Sequence, residues 1–486
     1  MLDTTMRRGA PAAPLAAAAL LAFLAVLPLL IGMPVAWSLL AVCALVTASG
    51  TAWGLATRRF LEPLPLIAAV GLLIFVARPL QLFLGWRDLY SHFAPDKGPV
   101  GLVLLENQEI ALFVTQRLRE PLEPALTRAI GATALFLVLF AAGYLLPAGR
   151  RLAGRLARAH GPRAGISVRT AVAAALAIGF AAQAAIIARA GGPGPSLRSA
   201  NEQAALSDSF VLFVLAGFGF AGMVVWAAWR RPSTRLEWAG FVGCVLANCG
   251  FATIAGSRAR ILLALLMLAV IKHYLWSPWR LRQLAAGMAV FVVFAGAFVA
   301  FRQAANVDSI GEAIGQAPKY GLEPRVILND LTAFDDVFYV TTTYGQRRPH
   351  QNGDFLLGGV RSYLPAAVDP GKPEGGDIVL RRAVFGESTG AGRPPTVIGD
   401  LYIDFGFPGV AIGALLLGMA ARGLTGLVLG SGPGREYRVA LYAVALIVLY
   451  ELVVDSFSIA LGYALAFGIP LVATVHALGR LRRGSA

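Results

Sequence analysis

The stretch from Ile254 to Tyr274, IAGSRARILLALLMLAVIKHY, sets Arg258 and Arg260 between two apolar runs. One run ends near Ala255 and the next begins at Ile261. An arginine in or beside hydrocarbon is costly unless something anionic or polar receives it. The runs on either side are continuous rather than alternating. They therefore read as membrane-spanning helices and argue against a β-barrel.

Composition extends this reading to the whole chain. Of 486 residues, 57% are hydrophobic and 14% charged, with a mean hydropathy of +0.67. Soluble chains carry about 25% charged residues. Many runs approach the ~20 apolar residues that cross a bilayer. Twelve spans are expected, near 12–31, 35–56, 64–85, 126–147, 169–190, 209–229, 237–256, 261–275, 284–302, 407–429, 438–458 and 461–479. Arg7 and Arg8 precede an apolar stretch, 14–31, that is long for the core of a signal peptide. It reads as a retained first helix. Cys43, Cys244 and Cys249 all fall in apolar runs and read as small packing residues, with no disulfide framework.

Charge sets the topology. Loops on one side hold Arg7, Arg8, Arg58, Arg59, the run Arg150 to Arg169, Arg230, Arg231, Arg235, Lys272, Arg280, Arg282, Arg422, Arg435, Arg438, Arg480, Arg482 and Arg483. That side has 22 basic and four acidic residues, and the rest of the chain has 20 basic and 23 acidic. The formal +15 thus divides into +18 on one side and −3 elsewhere. This is the positive-inside pattern and places both termini in the cytoplasm. The Arg150 to Arg169 run reads as a solvated loop facing lipid headgroups, and no nucleic-acid surface is indicated.

Two outer loops are long. The first, 86–125, has partly helix-periodic apolar residues, as a helix at the membrane surface would. The second, 303–395, lies between spans nine and ten. In it Val326, Ile327, Leu331, Phe334, Val337 and Phe338 fall at helical spacing. The chain then reads as a transmembrane bundle over residues 1–302, an outer cap over 303–395 and a second transmembrane region over 396–486. No P-loop, no glycine-rich dinucleotide fingerprint and no HExxH are present.

The chemistry gathers at the outer end. Arg258 and Arg260 stand at a helix N-terminus, where unpaired N–H groups and the helix dipole favour an anion. The planar guanidinium suits phosphate. The bland alternative is snorkelling to lipid phosphates. Arg78, before Pro79, lies inside a span and is a functional candidate, or pairs with Asp455 or Glu451. The second loop adds Arg361, Arg381, Tyr402 and His350, a candidate general base. Asp400 and Asp404 are four apart and share a helix face. Such carboxylates orient sugar hydroxyls or accept a proton, or they merely favour a helix start.

Four segments carry a resemblance: ARPL at 77–80, GSRARILLALL at 256–266, SYLPAAVDPGKP at 362–373 and PPTVIGDLYIDFGFPGVAIGALLLG at 394–418. In these, and in its late outer loop, the chain resembles the oligosaccharide repeat-unit polymerases, the O-antigen polymerase-like membrane glycosyltransferases of bacteria. Arg–x10–Gly spacings occur at Arg347/Gly358, Arg348/Gly359 and Arg381/Gly392, and glycine is common enough for chance to supply them. The resemblance implies joining of glycan units carried on polyprenyl diphosphate, at the outer face of the cytoplasmic membrane. Arg258 and Arg260 would meet the diphosphate, helped by Arg78 and Arg361. Asp400 or His350 would assist the acceptor hydroxyl. No carboxylate cluster demands a metal and no cofactor is implied; a chain-length regulator is an expected partner. An O-antigen ligase uses the same donor, and a transporter of lipid-linked sugars is the alternative from another class.

Overall fold

The computed structural model describes residues 34–82, 113, 117–157, 168–189, 210–254, 258–280, 282–283, 286–287, 333–364, 368–386, 393–430, 432 and 434–480. Its described helices are α1 (Val35–Thr57), α2 (Pro63–Leu82), α3 (Leu122–Leu145), α4 (Pro147–Leu156), α5 (Val168–Arg189), α6 (Phe210–Trp229) and α7 (Arg235–Ile254). They continue with α8 (Arg258–Ile271), α9 (Ala333–Thr343), α10 (Asp354–Arg361), α11 (Gly376–Phe385), α12 (Thr396–Leu429), α13 (Arg435–Val454) and α14 (Phe457–Arg480). Among the described residues there is no strand.

Eight helices are long and apolar enough to cross a membrane: α1, α2, α3, α5, α6, α12, α13 and α14. The apolar stretch Leu263–Trp276 is shorter, and α7 is a further twenty-residue helix. The expected spans 12–31 and 284–302 lie outside the described residues, as do most of 86–125 and all of 303–332. The chain is thus an all-helical membrane protein, with eight helices rather than the expected twelve meeting the spanning criteria among the described residues.

Close packing rests on glycine where two helix backbones meet. A Cβ on Gly418 of α12 would fall 2.1 Å from the Phe140 carbonyl oxygen of α3. One on Gly143 of α3 would fall 2.2 Å from the Leu415 carbonyl oxygen. Small residues of this kind let membrane helices approach closely. Gly418→Val therefore forces α3 and α12 apart and costs about 1–3 kcal/mol. Thermal unfolding of the detergent-purified protein checks this, with Gly243→Ala as the control, since a Cβ there meets nothing within 4 Å.

The basic loops gather at one end of the bundle. Tyr144 at the end of α3 donates to Glu62 Oε2 at 2.8 Å, and Arg422 of α12 lies 3.6 Å from the same oxygen. Tyr442 near the start of α13 donates to the Leu61 carbonyl at 2.6 Å, and Arg435 to the Tyr274 carbonyl at 2.7 Å. Helix α4 lies against the α12 end here, burying Gly149 and Ala153 and exposing Arg150, Arg151 and Arg155. The expected arginine loop therefore begins as an amphipathic helix, because its small residues recur at helical spacing.

Candidate functional site

The opposite end is built around α9. Its sequence, AFDDVFYVTTT, is buried at all eleven positions, against α2, α3, α11 and α12. Phe334, Val337 and Phe338 follow the expected periodicity; Val326, Ile327 and Leu331 lie outside the described residues. The two consecutive acids occupy the first turn, where the helix dipole favours negative charge. Each meets an arginine from a distant region of the chain. Arg78 donates from Nε to Asp335 Oδ1 at 3.0 Å and from Nη2 to Oδ2 at 2.7 Å. Arg393 donates from Nη1 to Asp336 Oδ1 at 2.9 Å and lies 5.3 Å over the Tyr339 ring.

Arg78 thus meets Asp335, not the Asp455 or Glu451 expected as its bland partners. The physical reason is that α9 enters the bundle, so an acid from the 303–395 segment reaches the arginine before the acids of α13 do. A π-helical turn at Leu73–Ala77 immediately precedes Arg78, and such turns re-aim the residues that follow. Both side chains of the pair are fully buried.

Arg393 is held close by its backbone as well, since its N–H donates to the Asp377 carbonyl at 3.1 Å. Burial and the nearby Arg78 pull the Arg393 guanidinium down to about 10, which leaves it a cation at neutral pH. Burial first, then Asp335 and Asp455, push the Asp336 carboxyl well above the usual carboxylate range. Asp377 is pushed up by burial and by Asp455. Asp455 is therefore near both acids.

Helix α12 supplies the second wall. Gly406, at φ 64° and ψ −151°, breaks it into a short leg and a long leg. The break leaves carbonyls free. The Asp404 carbonyl would have received residue 408, but that residue is Pro408 and has no N–H. The Asn352 N–H takes it instead at 2.9 Å, and the Gln351 N–H takes the Ile403 carbonyl at 3.0 Å. His350 is wedged beside the break. A Cβ on Gly406 or Gly345 would meet its Nε2 at 3.1 or 3.0 Å. Its ring stands edge-on to Tyr402 at 5.5 Å, and its Nδ1 lies 3.4 Å from the Ile403 carbonyl oxygen.

Asp400 and Asp404 share a side of the short leg, as their spacing requires, and each cradles the start of another helix. Asp400 Oδ2 accepts the Phe457 N–H, the first of α14. Asp404 accepts the Phe355 and Leu356 N–H groups of α10, both at 3.0 Å. The expectation that acids here favour a helix start is met in an unforeseen way, since the helices they start are not their own. Asp404→Ala frees two N–H groups and costs about 0.5–2 kcal/mol, the range for a lost N-cap. Hydrogen exchange should report it as faster opening of Asp354–Arg361.

The other expected residues are more dispersed. Arg361 closes α10 and makes a two-pronged pair with Asp369, at 2.8 and 3.1 Å. Tyr363 beside it donates to the Ser458 carbonyl at 2.8 Å, tying the loop to α14. Arg381 is half-buried on α11. Tyr402 is buried, on the side where Arg128 pairs with Glu120 and donates to the Thr341 carbonyl. Arg258 and Arg260 open α8 as expected; their side chains lie outside the described residues.

The direction of α8 places its start. At its far end Trp276 meets Trp238 and Phe241 at the start of α7, and Tyr274 meets Tyr442 at the start of α13. Those contacts lie at the basic-loop end. The run from Arg258 to Trp276 is roughly 28 Å long at 1.5 Å per residue. Its N-terminus therefore lies toward the end that holds Arg78, Arg393 and their acids. Sequence reading missed Asp335, Asp336 and the role of Arg393. The available signal was two adjacent acids inside an apolar helical pattern, which a buried helix tolerates only with cations opposite.

Residues 106–453 match the model of the family described as "Putative O-antigen polymerase". That is well over half of the chain. The chain belongs to this family. Nothing among curated proteins and nothing among solved structures matches it. Membership of an O-antigen polymerase family and eight spanning helices make it a bacterial membrane protein of polysaccharide biosynthesis, with a lipid-linked oligosaccharide as its implied substrate.

Proposed function

We propose that this protein polymerises oligosaccharide repeat units carried on polyprenyl diphosphate, by glycosyl transfer at the outer face of the cytoplasmic membrane. The observation that carries the reading is the gathering of functional groups at the end opposite the basic loops: the Arg78 and Arg393 pairs, the broken α12 and the start of α8. With the basic loops in the cytoplasm, both termini are cytoplasmic and this end faces out. Helices α9, α10 and α11 stand at this end.

In this reading a hydroxyl of one lipid-linked unit attacks the anomeric carbon of the chain on another, and polyprenyl diphosphate leaves. Negative charge grows on the leaving group, and fixed cations aimed at it lower the barrier. Arg258 and Arg260 are the cations assigned to it. Arg361, Arg381 and Tyr402 border the glycan path. Arg78 is fully buried in its ion pair, so its role is to pin α9 to α2. Asp400 already accepts the Phe457 N–H and sets the start of α14, and His350 braces Tyr402 beside the α12 break. The reaction as written needs no metal, and a chain-length regulator would act from outside this chain.

The test is purified protein with a labelled lipid-linked repeat unit. A ladder of longer lipid-linked glycans is expected. One transfer to a different lipid acceptor would make the protein a ligase. Movement across a vesicle without new bonds would make it a transporter.

A further inference from the structure

One buried group has no role in the scheme so far. Glu451 and Asp455 stand one turn apart where α13 ends. Glu451 is 1% exposed, and neither of its carboxyl oxygens receives an N–H or O–H among the described residues. A buried acid left without a donor is costly, and where one persists in a membrane protein it is a functional group by default. The acid one helical turn on is Asp455, close enough along the helix for the two carboxyl groups to interact. Two carboxyl groups so placed are less costly to keep with one proton between them than with both ionised.

The pair has an inner and an outer member. Glu451 is closed off, while Asp455 keeps some of its surface open. Asp455 has also left helical geometry, at φ −108° and ψ −94°, in the short link between α13 and α14. It is near Asp336 of α9 and Asp377 of α11, and the cation Arg393 is fixed beside those two. Four of the other acids at this end already hold a donor. Asp335 holds Arg78, Asp336 holds Arg393, Asp400 accepts from Phe457, and Asp404 from Phe355 and Leu356.

Resting on the polymerase reading above, we propose that Asp455 takes the proton of the acceptor hydroxyl, and that Glu451 is the positioning residue that donates a hydrogen bond to it. The hydroxyl oxygen forms the new bond to the anomeric carbon as its proton passes to an Asp455 carboxylate oxygen. The anomeric C–O bond to the diphosphate breaks, and its electron pair leaves with the diphosphate. A general base of this kind contributes roughly 100-fold or more to the rate.

The test uses the purified full chain and polyprenyl-diphosphate-linked repeat units extracted from the host bacterium's membranes. Asp455→Asn should lower kcat by about 100-fold or more, with KM and melting temperature near wild type. A kcat within about threefold of wild type would overturn the proposal, because no general base is worth so little. Glu451→Ala should lower kcat at least about tenfold, the scale of one lost hydrogen bond to a charged group. Glu451→Gln, whose amide NH2 still donates, should restore most of that loss. A glutamine variant that is folded yet no better than alanine would equally overturn it. Should Asp455→Asn unfold, the comparison of glutamine with alanine decides by the same criterion. Wild-type protein that elongates nothing would remove the polymerase reading and this proposal together; wild-type elongation with an active Asp455→Asn variant would remove this proposal alone.

Discussion

Arg78→Ala is expected to cost about 3–5 kcal/mol of stability, because it leaves Asp335 as a buried charge without its fork of donors. Elongation should be lost with it. Both side chains of the pair are fully buried, and the guanidinium also donates to Gln81 Oε1 at 2.9 Å. Lysine does not rescue, since a single ammonium cannot reproduce two parallel bonds to one carboxylate. The informative variant is the double one, Arg78→Met with Asp335→Leu. A buried ion pair replaced by apolar groups of similar volume is often neutral or stabilising, because neither charge is left stranded. The double variant should therefore recover thermal stability in detergent, and elongation should return with it as α9 settles back against α2 and α3. A double variant that is stable but inactive would move Arg78 from pinning α9 to contacting the substrate.

That pair also marks where sequence reading stops. The spanning helices are legible because their signal is local: an apolar run such as that of α3 or α13 needs no partner to be recognised. That the basic loops share one end is legible for the same reason, since arginines such as Arg59, Arg422 and Arg435 mark their loops one at a time. Contacts Tyr144–Glu62 and Arg435–Tyr274 bring those loops to one end. The ion pair Arg78–Asp335 joins residues 257 positions apart, and nothing local says which acid faces which arginine. Asp400 and Asp404 show the same limit. Their shared face follows from their spacing, but their partners are the first N–H groups of α14 and α10, from segments the spacing does not mention. His350 stands out in the sequence as one of few histidines, whereas its place is set by the break at Gly406 and by the missing N–H of Pro408. In the sequence Glu451 and Asp455 suggest themselves only as partners for Arg78; with that arginine occupied, they become a pair of their own.

The largest effect on chemistry alone is expected from Arg258 and Arg260. Sixteen residues separate Arg258 from Tyr274, and twelve separate Tyr442 from the end of α13 at Val454. Tyr274 and Tyr442 are in ring contact, so counting along both helices at 1.5 Å per residue brings the start of α8 to within about one turn of the α13–α14 link. That link is the level of Asp455 and of the Phe457 N–H that Asp400 holds. A helix start adds unpaired N–H groups to whatever charge its first residues carry. An anion bound there meets both, and one whose charge grows during the reaction gains more than one whose charge is constant. Arg258→Ala and Arg260→Ala should each lower kcat by about 100-fold, the usual loss for one charge-stabilising donor, and the double variant should fall below detection. KM should change less than kcat, because the gain belongs to the departing diphosphate rather than to the bound donor. Lysine at either position should recover some of the loss, as a point charge without the planar fork. If both alanine variants insert normally and build ladders at the wild-type rate and length, the diphosphate is met elsewhere and α8 is only a packing element.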